Sequence, residues 1–362
     1  MRRLADLLLA VTLLGCRGEP AATGDGSTSD RRTADRPALV EHARPDGPRP
    51  DLAVPGVCVE LVAIDRLAQP LTCETKKIVG AAVAELPYDC HTQGIGRAAS
   101  GEFVVSCMEE SGGSSARVLS FPADANAGGS WSALASVGLG AAGANHPSGI
   151  QIEGQLFPVA IAPPSDKGPT TISFFRVGAG GALVGPLATL AHPEGHLGAL
   201  AYATIDGETH LLGCGYDCAT LTAWRAPGAG ATQSFSRVLR VATSSLVDPG
   251  VDENVGSYNS LFLAVRCGDR TPLLFASHDD WLDVWALTDL GKPSLRMRKL
   301  AKRQISESVV RWKDRPLLYE GMTLELGAQG LRLWAAPHDF GTESFPSGTR
   351  CMQYVYRCSF AP

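Results

Sequence analysis

Long apolar runs are scarce in this sequence of 362 residues, and there is no excess of positive charge. The first apolar run, residues 7–14, is well short of the ~20 residues that a transmembrane helix needs. The formal net charge is −5, and aromatic residues do not alternate with lysine and arginine. We therefore expect neither a membrane-spanning helix nor a nucleic-acid-binding surface.

Motifs of the common enzyme classes are also missing. The sequence contains no Gly-x-Ser-x-Gly elbow, no His-Glu-x-x-His motif, no phosphate-binding loop and no Ca²⁺-binding loop. Adjacent carboxylates such as Glu109 and Glu110 point to opposite sides of a strand, so they cannot form a glycosidase pair by themselves. The motifs thus assign no residue a catalytic role and indicate no cofactor.

The first fifteen residues have the pattern of a signal peptide. Arg2 and Arg3 precede the short apolar run, which ends in Leu13-Leu14-Gly15-Cys16. This ending resembles the lipobox of bacterial lipoprotein signals, which implies cleavage before Cys16 and lipidation of its thiol. An ordinary secretory signal with a chance cysteine is the alternative. Cleavage would move the net charge from −5 to −6, since it removes two arginines and one aspartate.

The sequence after Cys16 predicts a linker and then one large domain. Residues 17–55 are rich in Gly, Ser, Thr, Asp, Arg and Pro, and they cannot bury enough apolar surface to offset the entropy of ordering. We expect residues 1–15 to be the signal, 16–55 a lipidated and disordered linker, and 56–362 a single domain. The residue after Cys16 is Arg17, whereas an Asp at this position would resemble an inner-membrane retention signal. The expected location is the bacterial cell envelope, with the outer membrane favoured in a Gram-negative host.

The remaining nine cysteines agree with an oxidising compartment. Spacing favours local disulfides, although it cannot fix the connectivity. A zinc half-site at Cys214 and Cys218 is an alternative for one pair. Cys267 is then left over, and the four expected pairs are Cys58–Cys73, Cys90–Cys107, Cys214–Cys218 and Cys351–Cys358.

One pattern recurs five times along residues 94–354. A strand leads through a tight glycine turn into a second apolar strand, then a third strand of the form apolar-x-x-aromatic, and a weaker fourth. The turn glycines stand at positions 101, 154, 207, 268 and 330, which are 53, 53, 61 and 62 residues apart. Four-stranded units at this period are typical of β-propeller blades.

We therefore predict an all-β fold, a β-propeller of five blades. A sixth blade is possible if residues 57–73 belong to another unit, and a plain β-sandwich is the alternative fold. The last copy lacks a fourth strand, which we expect from residues 76–86 so that the ring closes. Trp224 and Trp285 occupy the repeated aromatic position and are expected between blades.

Two stretches resemble a known group of proteins. The first is Asn145-His146-Pro147-Ser148-Gly149-Ile150-Gln151, and the second runs through residues 210–224 and ends in Thr220-Leu221-Thr222-Ala223-Trp224. In this order they are similar to an uncharacterised family of exported propeller-like proteins with a His-Pro-Ser/Gly-Gly-Ile/Leu-Gln motif. The resemblance covers roughly residues 145–356. It implies the fold and supplies no mechanism.

Propeller geometry places the polar strand ends on one face. First strands begin, and second strands end, on the same side of the ring, and the first-strand starts fall at His91, His146, His196, Tyr258 and Glu320. Such residues commonly cap backbone groups, which is the alternative to a binding role. The candidate ligand-binding residues on this face are His91, His146, His196, Asp217, His278, Asp279, Trp281, His338 and Asp339.

Two functions follow from this pattern. The first is a membrane-anchored recognition module that binds a protein, a glycan or a small polar ligand on its His/Asp-rich face. The alternative is a metal-assisted hydrolase or lyase at the channel mouth, which would use His91, His146 and His196. Convergence of these three imidazoles would favour the enzyme, and separate capping roles would favour the binding module.

Overall fold

The computed structural model describes only part of the chain. The signal, Cys16 and the linker predicted for residues 1–55 lie outside it. The described residues are 58–60, 64–65, 67, 71–79, 90–109, 116–122, 130–131, 133–140, 146–163, 168–215, 218–248, 255, 258–278, 281–305, 321–327, 330–336 and 352–360.

The described residues form an almost entirely β structure, with 3₁₀ turns at Ala179–Gly181 and Thr243–Leu246 and isolated helical residues at 64–65 and 67. No helix among them is long and apolar enough to cross a membrane. In chain order the strands are β1 Cys58–Val59, β2 Leu71–Val79, β3 Cys90–Arg97, β4 Phe103–Glu109, β5 Ala116–Phe121, β6 Ser130–Trp131, β7 Ala135–Gly138, β8 His146–Pro147, β9 Leu156–Ala162, β10 Thr170–Val177, β11 Leu183–His192, β12 Ala199–Ile205, β13 Glu208–Cys214, β14 Thr220–Pro227, β15 Ser236–Ala242, β16 Ser260–Arg266, β17 Pro272–His278, β18 Trp281–Thr288, β19 Arg296–Gln304, β20 Gly321–Gly327, β21 Gly330–Ala336 and β22 Met352–Phe360.

These strands form five sheets, and each sheet is one propeller blade. The predicted five-bladed propeller is therefore confirmed, and neither a sixth blade nor a sandwich is present in the described residues. From the inner to the outer strand, the blades are β3-β4-β5-β7, β8-β9-β10-β11, β12-β13-β14-β15, β16-β17-β18-β19 and β20-β21-β22-β2. The fourth blade has β1 added at its inner edge, and the fifth has β6 added at its outer edge.

An N-terminal strand closes the ring, as the repeat predicted. β2 is antiparallel to β22, in a register that runs from Leu71↔Phe360 to Val79↔Met352. The strand begins at Leu71, five residues before the expected segment, because the cross-strand pairing extends to the end of β22. First and last parts of the domain therefore share one blade.

Glycine turns join the first two strands of the blades where they were expected. Gly101, Gly154, Gly207 and Gly268 all have positive φ, between 62° and 103°, which side chains other than glycine rarely adopt. In the fifth blade Gly330 instead begins β21, where it pairs with Gly327. Sequence spacing thus located every inner hairpin to within a few residues.

The apolar core lies between neighbouring blades rather than in one central mass. One cluster joins the third and fourth blades and contains the fully buried Trp285. Another joins the second and third blades and contains Trp224, which is 3% exposed. Both tryptophans occupy the positions between blades that the repeat predicted. Each blade buries its faces only against its neighbours, so ring closure stabilises all five.

Glycines close the propeller axis. A Cβ on Gly94 would lie 2.7 Å from Cα of Gly149, and a Cβ on Gly321 would lie 2.8 Å from Cα of Gly94. Real Cβ atoms do not approach backbone this closely, so only glycine allows the inner strands of the first, second and fifth blades to touch. These inner strands therefore approach each other closely near the axis.

The His-Pro-Ser-Gly-Ile-Gln stretch ties the inner strands together. Gln151 donates from Nε2 to the carbonyl of Leu263 (2.7 Å), and its Oε1 accepts from the backbone N–H groups of Tyr202 (3.0 Å) and Leu263 (2.7 Å). These bonds join the second, third and fourth blades. The carbonyl of Ser148 accepts a hydrogen bond from the Ser106 hydroxyl at 2.8 Å, which joins the first and second blades. The motif therefore forms the structural hub of the propeller.

The first described strand, β1, lies beside the end of β16 that is opposite the predicted site. β1 runs parallel to β16, with Cys58 beside Val265 and Val59 beside Arg266. The N–H of Cys267 donates to the carbonyl of Val59 at 2.9 Å, and Cys58 and Cys267 form a disulfide. The expectations that Cys58 pairs with Cys73 and that Cys267 is unpaired are therefore wrong. This bridge spans 209 residues, so its contact is created by ring closure and not by local spacing.

The other described disulfides agree with an oxidised domain. Cys214 and Cys218 are bonded to each other, as predicted, which removes them as a zinc half-site. Cys107 and Cys358 each form a disulfide as well. Their predicted partners, Cys90 and Cys351, lie outside the described side chains.

Candidate functional site

We call the face where inner strands begin the upper face, and the face that carries the glycine turns and Cys58 the lower face. His146 begins β8, His278 ends β17, and Trp281 begins β18, all on the upper face. His196 lies three residues before β12, and His91 is the second residue of β3, although its side chain is not described. Four predicted site residues lie outside the described part of the chain: Asp217, Asp279, His338 and Asp339.

The structure brings two of the predicted histidines together. Nε2 of His196 lies 3.2 Å from Nδ1 of His146, and the ring centroids are 4.8 Å apart at an interplanar angle of 79°. His196 is 7% exposed, whereas His146 is half-buried. One ring donates the shared hydrogen and the other accepts it, so only one of the two facing nitrogens carries a hydrogen. We call these two residues the histidine pair.

Backbone bonds between the second and third blades hold the histidine pair. His146 pairs with Ala162 in its own blade. The N–H of Gly149 donates to the carbonyl of Gly198 at 2.9 Å, and the hydroxyl of Thr170 donates to the carbonyl of Gly195 at 2.8 Å. The segment that carries His196 is therefore bonded on both sides of that histidine, and the segment that carries His146 is bonded at the histidine and at Gly149.

His278 belongs to a second, more buried group at the seam between the third and fourth blades. Its Nε2 lies 3.9 Å from Oδ2 of Asp283, a residue with no exposed surface. The hydroxyl of Tyr258 donates to the same oxygen at 2.8 Å, and Nζ of Lys299 lies 3.3 Å from it. Nε1 of Trp285 donates to the Tyr258 hydroxyl at 3.1 Å. We call these five residues the Asp283 cluster.

Burial governs the titration of the Asp283 cluster. Burial raises the pKa of Asp283, against the hydrogen bond from Tyr258 and the charge of Lys302. Burial also lowers the pKa of Lys299 to about 8, with a smaller contribution from Lys302. The pKa of Tyr258 is raised by burial and by the Asp283 carboxylate beside it. Desolvation therefore favours the neutral forms of Asp283 and Lys299, although the 3.3 Å distance between them favours the charged forms.

Trp281, the expected ligand-facing aromatic, is partly exposed at the start of β18. Nζ of Lys302 lies 4.6 Å from the centroid of its ring, which gives a cation–π contact on one side. That side of the indole is therefore covered by a side chain of β19 and is not a free stacking surface.

The sequence missed the acidic centre of this cluster. Asp283 occupies the third position of β18, between the apolar residues Leu282 and Val284, and it points to the same side of the strand as Trp281 and Trp285. A buried strand with one aspartate in an otherwise apolar run is a signal that could have identified it, since buried charges are rare without a partner. The partner Lys299 lies in another strand and could not be assigned from spacing.

One further group of potential metal ligands occurs among the described residues. Cys58, Glu60 and Cys267 lie within 4.8 Å of one another. The two sulfur atoms are joined in the disulfide, which accounts for the grouping.

The fold and this face define a five-bladed β-propeller with a histidine pair on its upper surface. No family model matches the chain, and no curated protein matches it. Among solved structures it is similar to the catalytic domain of the Coprinopsis cinerea GH62 α-L-arabinofuranosidase, with 12% identity and a TM-score of 0.46 over 80% of this chain and 97% of that one.

Two other solved structures give similar values. The α-L-arabinofuranosidase PaAbf62A from Podospora anserina has 11% identity and a TM-score of 0.46, over 82% of this chain and 98% of that one. The GH43_1 enzyme from Xanthomonas citri has 10% identity and a TM-score of 0.42, over 81% and 92%. Similarities this low carry no argument about the activity of this chain.

Proposed function

We propose that this protein is a lipid-anchored recognition propeller of the bacterial cell envelope that binds a ligand on its upper face, at the histidine pair. The observation that supports this most is the 3.2 Å contact between His146 and His196 on adjoining blades. Two imidazoles can each donate or accept hydrogen bonds near neutral pH, which suits a protein, a glycan or a small polar ligand.

The segment that follows His146 is held rigidly, which favours binding at the histidine pair. Gly149 and Gln151, which follow the short strand β8, are fixed to the third and fourth blades by hydrogen bonds. A site that is already rigid before the ligand binds loses little conformational freedom on binding. The hub formed by the His-Pro-Ser-Gly-Ile-Gln stretch would therefore serve recognition by keeping one face rigid.

Two carboxylates at the seams between blades, the partly exposed Glu153 and the buried Asp283, are held by hydrogen bonds and an ion pair. Glu153 accepts hydrogen bonds from the backbone N–H (2.7 Å) and hydroxyl (2.9 Å) of Thr204 in the next blade. Asp283 is bound by Tyr258 and Lys299. Both are engaged within the seams between blades, so neither of these two residues supports a carboxylate-based reaction.

The metal-assisted hydrolase or lyase is the second candidate. It draws on the same pair, because two of its three proposed imidazoles, His146 and His196, meet. The third, His91, lies in the inner strand of the first blade. Turnover of an ester or glycoside by the full chain, abolished by His146→Gln, would favour this candidate over binding.

Ligand screening with matched histidine variants tests the proposal. The full chain, with Cys16→Ser to prevent lipidation, is applied to an array of envelope glycans and to a thermal-shift panel of small polar compounds. Binding should be lost in His146→Gln and His196→Gln and kept in His192→Gln, which changes a buried histidine that contacts Glu194 instead. Ligands that bind equally to all three variants would contradict the proposed site. Incorporation of labelled fatty acid into the wild type but not into Cys16→Ser tests the anchor separately.

A further inference from the structure

We infer that the histidine pair binds one divalent transition-metal ion, through Nδ1 of His146 and Nε2 of His196. The inference rests on the proposed function in one respect, since it assigns a chemistry to the same site. The ion would be the group through which oxygen atoms of the ligand are recognised.

The distance between the two nitrogens fits shared coordination. They are 3.2 Å apart. Two imidazole nitrogens that each lie 2.0–2.1 Å from a tetrahedral zinc ion are separated by about 3.3 Å. The edge-to-face rings, with centroids 4.8 Å apart, keep the two side chains from stacking on each other. Only small side-chain rotations are therefore needed to turn both lone pairs toward one ion.

The chemistry balances without release of a proton. In the neutral pair each ring carries one N–H, and one of these lies in the shared hydrogen bond. When the ion binds, that hydrogen moves to the other nitrogen of the same ring, and both facing nitrogens become metal ligands. Neutral imidazole is a common ligand for zinc, copper and nickel.

Among the described residues two imidazoles would supply ligands, which leaves coordination positions open, and an open position allows a metal to bind a ligand from solution. The pair stands on the upper face, where His146 is half-buried and not fully enclosed. Carboxylate, phosphate and vicinal hydroxyl groups supply oxygen donors of the required kind. The inference therefore narrows the expected ligand to a polar molecule that carries such groups.

His192, a second histidine of the same blade, is less suited to bind a cation. Nδ1 of His192 lies 3.3 Å from Oε2 of Glu194, but the guanidinium of Arg237 is bound to the same carboxylate. The positive charge of Arg237 opposes binding of a cation there. His192 is therefore a matched control for a histidine that should not bind the ion.

Calorimetric titration of the full-length Cys16→Ser protein with Zn²⁺ tests the inference. We expect one ion per chain, at least tenfold weaker binding in His146→Ala and in His196→Ala, and unchanged binding in His192→Ala. Absence of one-to-one binding in the wild type would overturn it, as would equal binding by all variants.

A spectroscopic measurement on the wild type covers the case in which a variant does not fold. With one equivalent of Cu²⁺, electron paramagnetic resonance should show hyperfine coupling to two imidazole nitrogens. A spectrum without nitrogen coupling overturns the inference. If Zn²⁺ does not bind but glycan or small-molecule binding still requires His146, the metal is ruled out and the recognition function stands. If Zn²⁺ binds at the histidine pair and no compound of the screen binds, the metal site stands and the recognition function is contradicted.

Discussion

The hydroxyl of Tyr258 donates a 2.8 Å hydrogen bond to Oδ2 of Asp283, a carboxylate without exposed surface. The same oxygen lies 3.3 Å from Nζ of Lys299, whose side chain is 8% exposed. A buried ion pair of this kind stabilises little in total, but removal of one partner leaves the other charge without compensation. The seam between the third and fourth blades is therefore sensitive to single changes.

The first prediction concerns that sensitivity. Asp283→Asn should lower the free energy of unfolding by about 3 kcal/mol, because the Lys299 ammonium would remain buried without its anion. The double variant Asp283→Leu with Lys299→Met should lie much closer to the wild type. Urea denaturation measures all three. Asp269→Asn, an exposed carboxylate bound to Arg266, is the control and should leave the transition midpoint unchanged.

A second prediction concerns pH. Burial lowers the pKa of Lys299 to about 8, below the ordinary value of 10.5. Between these two pH values the unfolded chain binds more protons at this residue than the folded chain does, so the contribution of Lys299 to stability rises with pH. The free energy of unfolding of the wild type minus that of Lys299→Met should increase by about 2 kcal/mol from pH 8 to pH 10. A difference that stays flat or falls across this range would show that the lysine titrates normally.

The glycine contacts at the axis give a third prediction. A Cβ at position 94 would lie 2.7 Å from Cα of Gly149, and backbone cannot move away as a flexible side chain would. Gly94→Ala should therefore reduce the free energy of unfolding by about 2–3 kcal/mol. Gly138→Ala is the control, since its Cβ would meet nothing within 4 Å. Similar thermal unfolding of the two variants would contradict a closed axis.

Disulfide connectivity provides a fourth prediction. Non-reducing peptide mapping should recover one peptide pair that joins Cys58 to Cys267. Loss of this bridge in Cys267→Ser should cost about 2–4 kcal/mol, because it closes a long loop in the unfolded chain. A Cys58–Cys73 peptide pair together with a free thiol at Cys267 would refute the arrangement of β1.

The sequence predicted the elements that depend on local chemistry. Glycine turns at positions 101, 154, 207 and 268 have the positive φ that their hairpins require, and the aromatic positions of Trp224 and Trp285 lie between blades. The N-terminal closing strand followed from the count of strands per repeat. These features repeat along the chain, so each copy supported the others.

Contacts between distant blades could not be predicted in the same way. Cys267 appeared unpaired because its partner lies 209 residues away, and Lys299 had no visible link to Asp283. The His-Pro-Ser-Gly-Ile-Gln stretch was recognised as a motif, yet its role in binding Leu263 and Tyr202 depends on three blades meeting. Sequence placed His146 and His196 on one face, and only the closed ring shows that their rings touch.

Amide hydrogen exchange of the full chain, with and without a ligand found in the screen, tests the central claim most directly. We predict slower exchange in the presence of ligand at residues 146–151 and 195–199, the segments that carry the histidine pair. Slower exchange confined to residues 242–259, or to the turns of the lower face, would contradict recognition at the upper face.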